Sequence, residues 1–230
     1  MSGDFIEFTF HEGERSAKRK VQIRDLVIAG WTGRDPVARD KHIAELEELG
    51  IKRPASTPIY YRVAARRLSV GTRLEASGED SSGEVEFVLV QEGGRLYVGV
   101  GSDHTDRRVE AYNITVSKQM CDKPIAPELW AFDDIAAHWD RLILRSFATI
   151  AGKRELYQEG TLIGMLPPAE LIARGFGAAG LPEGALMFGG TFAAKGGIRP
   201  ASRFDFEIDD PVLGRSIKHG YDIQSLPVLG

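Results

Sequence analysis

Cysteine is nearly absent. Cys121 stands alone among 230 residues, so no intramolecular disulfide framework can form, and a reducing compartment is expected. Positive charge is also scarce: 29 lysines and arginines face 33 aspartates and glutamates, for a net charge of −4. That balance argues against a nucleic-acid partner or an anionic membrane surface. No uncharged apolar run approaches the ~20 residues a spanning helix needs. The opening residues from Met1 to Phe8 hold no basic region leading into an apolar core, so no secretory leader is predicted. Low-complexity tracts, linkers and repeats of fixed period are all missing. The expectation is a soluble, cytoplasmic protein, organised as one α+β, mostly β domain over 1–230.

What is present is punctuated. The 26 glycines sit mostly between short apolar runs, a pattern of many strands and turns. Strands are predicted over 4–10 and 20–30, separated by a polar turn from His11 to Lys18. A helix follows over 35–50, with Asp35 as N-cap, Pro36 at the first helical position and Gly50 at the C-terminal cap. His42 and Glu45 lie three apart on one flank of its Ile43, Leu46 and Leu49 stripe and can touch; the bland alternative is a solvated helix face. Pro54, Pro58 and Tyr60-Tyr61 point to extended chain, and Leu68 to Leu74 to a further short strand. The stretch 109–118 fits either helix or strand. A helical turn is expected over 133–139, a hairpin over 141–161, a helix over 168–174, and strands over 185–188 and 204–208.

The most informative stretch runs from Gly83 to Arg107. Two β-branched-rich runs, Val85–Val90 and Leu96–Val100, flank Gly93-Gly94, a two-residue hairpin signal. That turn pairs Glu92 with Arg95 and sets Glu84 opposite Asp103, while alternation puts Glu86 on the same face as Glu84. Three converging carboxylates repel one another unless they are protonated, paired with cations or holding a metal ion. Hard oxygen donors suit Mg²⁺, Mn²⁺ or Ca²⁺ better than zinc. The alternative is a solvated acidic hairpin end neutralised by Arg107 and Arg108. His104 is turned to the opposite face, which suggests a structural role, and Cys121 has no activating base nearby in sequence.

These features, in this order, resemble the fumarylacetoacetate hydrolase superfamily. Glu84-Val85-Glu86 matches its Glu-x-Glu, and Ser102-Asp103-His104-Thr105-Asp106-Arg107 matches its Asn-Asp-x-Ser-x-Arg. Lys118 lies near its lysine, Gly189-Gly190-Thr191 stands where its Gly-Thr-Pro loop falls, and Leu181-Pro182-Glu183-Gly184 is similar to the Leu-x-Pro-Gly-Asp before that loop. His42-Ile43-Ala44-Glu45 resembles the His-x-x-Glu of its lid. The similarity covers about residues 25–218 of the chain. Ser102 stands in place of asparagine, Phe192 in place of proline, and the lysine has lost its Lys-x-x-Asp spacing, so the chain resembles a divergent branch. The resemblance implies an acylpyruvate-hydrolase-like protein with a rolled mixed β-sheet barrel, a few short helices, and usually a homodimer.

It also implies a site. Glu84, Glu86 and Asp103 would hold Mg²⁺ or Mn²⁺, with Ca²⁺ as a substitute. His42 oriented by Glu45 would activate a water, and helix 35–50 would act as a lid. Lys118 would pair with the substrate or polarise its carbonyl, Arg107 would brace the carboxylates, and Thr191 would line the cleft. The substrate class implied is a small 2-oxo or dicarbonyl acid whose C–C bond is cleaved; decarboxylation, hydration and isomerisation stay open. A non-catalytic β-rich binding protein with a structural or empty acidic site is the alternative from another class.

Overall fold

The structure is a computed structural model that describes residues 5–48 and 53–229. Two sheets carry the fold. The larger has eight strands in the order Arg15–Gln22, Phe5–Glu12, Glu128–Ala131, Arg95–Ser102, Val85–Glu92, Ala185–Phe188, Asp25–Gly30 and Ile59–Val63. The smaller has five, in the order Lys153–Thr161, Ile143–Ile150, Arg203–Asp210, Arg215–Leu226 and Arg73–Ser77. Both sheets mix parallel and antiparallel pairs. The mostly β α+β class with large mixed sheets and a few short helices is as expected, and among the described residues no pairing joins the two edges of either sheet.

The central strand Val85–Glu92 is buried on both faces. Val85, Phe87 and Leu89 point into a core shared with Leu144, Phe204, Phe206 and Ile208 of the smaller sheet. Val88 and Val90 point the other way, into a second core with Phe8, Phe10, Leu129 and Phe188. Burial on both sides explains why its Phe87–Val90 stretch is an unbroken apolar run and why Arg203–Asp210, covered on one face, alternates.

Two expectations near the start are corrected. The segment predicted as a polar turn, His11 to Lys18, turns only around Gly13-Glu14, and Arg15–Gln22 is a strand. What was expected as one strand over 20–30 is therefore two, broken at Ile23-Arg24. Leu68 to Leu74 likewise divides, into Leu68–Ser69 and Arg73–Ser77. The ambiguous stretch 109–118 is helical, in two short pieces, Arg107–Tyr112 and Ile114–Met120. The predicted helix over 35–50 is Pro36–Glu48, and the Asp35 carboxylate accepts from the amides of Val37 and Ala38 as a cap should. Gly50 lies outside the described residues. Among the described residues no helix is long and apolar enough to cross a membrane.

The loop after Ala185–Phe188 positions the site. The Gly189 amide donates to the Phe87 carbonyl at 3.0 Å, so this loop lies flush on the central strand. A Cβ at Gly189 would overlap the Phe87 ring, and Gly190 has φ +107 with Thr32 against it. We expect Gly189→Ala to destabilise the protein by about 1–3 kcal/mol, the usual cost of overpacking a filled core. This is measured as a fall in the denaturant midpoint at constant slope. An unchanged midpoint would mean that the loop does not rest on Phe87.

Candidate metal and substrate site

The hairpin forms in the expected register. Glu92 pairs with Arg95 and Val85 with Ser102, and the Asp103 amide donates to the Glu84 carbonyl at 2.9 Å. Glu84, Glu86 and Asp103 each offer a carboxylate oxygen within 4.8 Å of the others. They meet at the wall of a cavity of about 630 Å³, which Glu84, Glu86, Lys118 and Thr191 line together with Tyr61 and Arg39. That volume suits a small metabolite.

Asp103 is fully enclosed and held between two lysines. Lys118 Nζ donates to Oδ2, and Lys123 Nζ lies 2.9 Å from Oδ1 while also donating to the His104 carbonyl at 2.5 Å. Burial alone would push the Asp103 carboxyl up, but Lys118 and Lys123 outweigh it and hold the group well below the usual carboxylate range. Lys118 comes from helix Ile114–Met120, whose first turn is capped by the Asn113 side chain. Burial works against its charge, and Asp103 and then Glu84 overcome that, so its ammonium is firmly protonated.

Glu86 is in a different position. It is nearly enclosed, accepts the Gly190 amide at 2.7 Å, and has no ion pair among the described side chains. Burial first, and Asp103 next, push its carboxyl well above the ordinary value. Burial also raises Glu84, although Arg107 opposes it. Arg107 Nη2 lies 3.3 Å from Glu84, Nη1 donates to Glu110 at 2.7 Å and Nε to the Ser82 hydroxyl at 2.7 Å. Arg107 thus contacts Glu84, Glu110 and Ser82 together, whereas Arg108 is exposed.

Thr191 lines the cavity, but its hydroxyl is committed: it donates to the Val85 carbonyl at 2.7 Å and accepts from Gln158 at 2.8 Å. Lys118, expected to pair with the substrate or polarise its carbonyl, has its ammonium engaged with Asp103. Helix Pro36–Glu48 carries His42 and Glu45 and presents Ala38 and Arg39 to the cavity; the side chains of His42 and Glu45 lie outside the described residues. His104 is enclosed behind the hairpin with Nδ1 2.8 Å from the Tyr221 hydroxyl. Burial, then Lys123 and Arg107, depress its imidazole to about 3, so it is neutral at pH 7. Burial likewise pushes the Cys121 thiol up to about 11, so it is inert.

Sequence reasoning missed three participants. Lys123 was hidden among Cys121-Asp122-Lys123-Pro124, where a charge between a turn and a proline looks like surface. Gln158 is a buried amide that binds Val85 N, Ser146, Thr191 and the Phe192 carbonyl; only its place among apolar neighbours hinted at burial. The Gly190 amide has no side-chain signal at all.

The chemistry of this donor set fits a hard divalent cation. Three carboxylate oxygens converge in low dielectric, and one of them, on Glu86, lacks a cation of its own, so a Mg²⁺ or Mn²⁺ charge would offset the repulsion between them.

Among solved structures, the chain is similar to Cg1458 with an inhibitor, at 18% identity and TM-score 0.64 over 93% of this chain and 84% of that one. It is similar to 2-keto-3-deoxy-D-arabinonate dehydratase complexed with magnesium and 2,5-dioxopentanoate, at 14% identity and TM-score 0.62 over 91% and 77%. A yeast fumarylacetoacetate hydrolase family protein, ynq8, is similar at 15% identity and TM-score 0.59 over 90% and 95%. At such identities the likeness establishes the fold. No curated protein gives a significant match. A family model described as a protein of unknown function, DUF2848, matches residues 29–221. The chain therefore belongs to the DUF2848 family, a divergent branch on the fumarylacetoacetate hydrolase fold.

Proposed function

We propose that this protein is a divalent-metal-dependent hydrolase or lyase that acts on a small 2-oxo or dicarbonyl acid and cleaves a C–C bond. The observation that carries the reading is the convergence of Glu84, Glu86 and Asp103 within 4.8 Å at the wall of a cavity that Lys118 also lines. The similarity in fold to a dehydratase complexed with magnesium and 2,5-dioxopentanoate supports it. Glu84, Glu86 and Asp103 would hold the ion. When bound, Mg²⁺ or Mn²⁺ supplies positive charge where electron density develops on the substrate's carbonyl oxygen.

The chain's own residues do the rest. Arg107 keeps Glu84 aimed inward by spanning Ser82, Glu84 and Glu110. The Gly190 amide orients Glu86. Lys118, which borders the cavity, would meet the anionic end of the substrate. Tyr61 and the loop around Thr191 supply apolar and backbone wall that excludes water. His42, oriented by Glu45, takes a proton from the attacking water, because a neutral imidazole accepts one near pH 7 and a neighbouring carboxylate fixes its tautomer.

Metal binding is expected to raise the thermal midpoint of chelator-treated protein. By mass action an ion at a hundredfold excess over its dissociation constant stabilises the folded state by about 2.7 kcal/mol. The rise should vanish in Glu86→Ala. A midpoint indifferent to Mg²⁺ and Mn²⁺ in the wild type would remove the metal site.

A second measurement separates an enzyme from a binding protein. His42→Ala should keep the metal-induced rise yet lose turnover on acylpyruvates or oxaloacetate by about 10²–10⁴-fold, the usual contribution of a general base. Turnover that survives this substitution would exclude His42 as the base. Absence of turnover on every 2-oxo acid in the metal-loaded wild type would favour the binding protein.

A further inference from the structure

Lys118 and Lys123 grip one carboxylate from its two oxygens, but their surroundings differ. Lys123 is completely enclosed, and its ammonium is tied to both Asp103 Oδ1 and the His104 carbonyl. Lys118 borders the cavity, and its charge bears on Glu84 and Glu86 as well as Asp103. Its ammonium also sits 5.6 Å from the centre of the Tyr61 ring, a cation–π distance. Lys118 is therefore seated on Asp103 Oδ2 with Lys123 on Oδ1, so a metal ion taking Asp103 as a ligand needs the seat that Lys118 holds. Two cations cannot share that seat without strong repulsion.

We infer that Lys118 is a placeholder: without metal its ammonium holds Asp103 Oδ2, and on metal loading it swings off Asp103 into the cavity to meet the substrate's anionic group. Lys123 stays behind. The inference rests on the metal-site reading above and adds to it an exchange between side chain and ion. The exchange is feasible for three reasons. A lysine stem pivots through four carbons and carries a compact ammonium with three rotatable donors. The centre of the Tyr61 ring already lies 5.6 Å from the ammonium, and the ring continues along the cavity wall into which it would turn. Lys123, bonded to the His104 carbonyl, keeps Asp103 paired and oriented throughout, so that carboxylate is not left without a partner. Metal and substrate binding are thereby coupled, since the ion releases the group that recognises the acid. Apparent metal affinity is reduced by the fraction of molecules in which Lys118 holds the seat.

The test is amine footprinting of the wild-type chain by reductive methylation, read by peptide mass spectrometry with and without Mn²⁺, and the thermal midpoint of the same samples. The expected result is that Mn²⁺ raises the midpoint and increases methylation of Lys118, while Lys123 stays unmodified in both states. A raised midpoint with Lys118 unchanged or protected would overturn the placeholder and leave the metal site standing. No rise in midpoint would overturn both. Lys118→Met gives an independent check: if the seat is open about a tenth of the time in the wild type, Mn²⁺ binds the variant roughly tenfold tighter by calorimetry. Weaker Mn²⁺ binding in the variant would show Lys118 supporting the ion rather than competing with it, and would overturn the inference.

Discussion

A two-residue turn at Gly93-Gly94 sets a register that brings Glu84, Glu86 and Asp103 to the same end of one hairpin, where Glu86 and Asp103 are buried. The rest of the site is a response to that constraint. Carboxylates packed this closely in low dielectric must be neutralised, and the chain does so unevenly. Asp103 receives two lysines, Glu84 receives Arg107, and Glu86 receives a backbone amide. The amide orients Glu86 without removing its charge. The least compensated carboxylate thus lines the cavity with Glu84 and Lys118, where a divalent ion would relieve the largest electrostatic cost.

This uneven pairing separates two tasks that a single counter-charge could not perform. Lys123 fixes Asp103 in one orientation and keeps it ionised from a position that solvent does not reach. Arg107, with three donor contacts, fixes the orientation of Glu84 from the helix that follows the hairpin. With both outer carboxylates held by enclosed or branched cations, Lys118 can move without collapse of the cluster. A site in which Lys118 alone faced Asp103 would leave an unpaired buried charge whenever the lysine moved, at a cost of several kcal/mol.

The sequence carried the hairpin register because a two-residue Gly-Gly turn leaves little choice of pairing, and the cap of helix Pro36–Glu48 because Asp-Pro is a local signal. It failed at Arg15–Gln22, where Lys18, Arg19 and Lys20 are all exposed. That strand lies at the edge of its sheet, pairs only with Phe5–Glu12, and so needs no apolar alternation. The polar composition that protects an edge from further pairing is the same composition that makes it look like a turn. Lys123 and Gln158 were illegible for a different reason. Their importance comes from partners far away in sequence, and no local pattern distinguishes a buried lysine facing Asp103 from an exposed one.

The smaller sheet contributes no carboxylate to the cluster, yet it fixes the geometry behind it. Tyr221, on strand Arg215–Leu226, places its hydroxyl 2.9 Å from Ser102 Oγ and 2.8 Å from His104 Nδ1, the two residues flanking Asp103. Gln158, on strand Lys153–Thr161, binds the backbone at Val85, between Glu84 and Glu86. Each ligand-bearing strand is therefore pinned from behind by a polar group of the second sheet, through a core otherwise filled by Phe204 and Phe206. Ser102 stands where the resemblance to the hydrolase superfamily expects asparagine, and the shorter side chain leaves its polar contact to Tyr221. Because His104 is neutral, it adds no positive charge to compete with Lys123 for Asp103. The departure at residue 102 thus preserves the position of the carboxylate beside it.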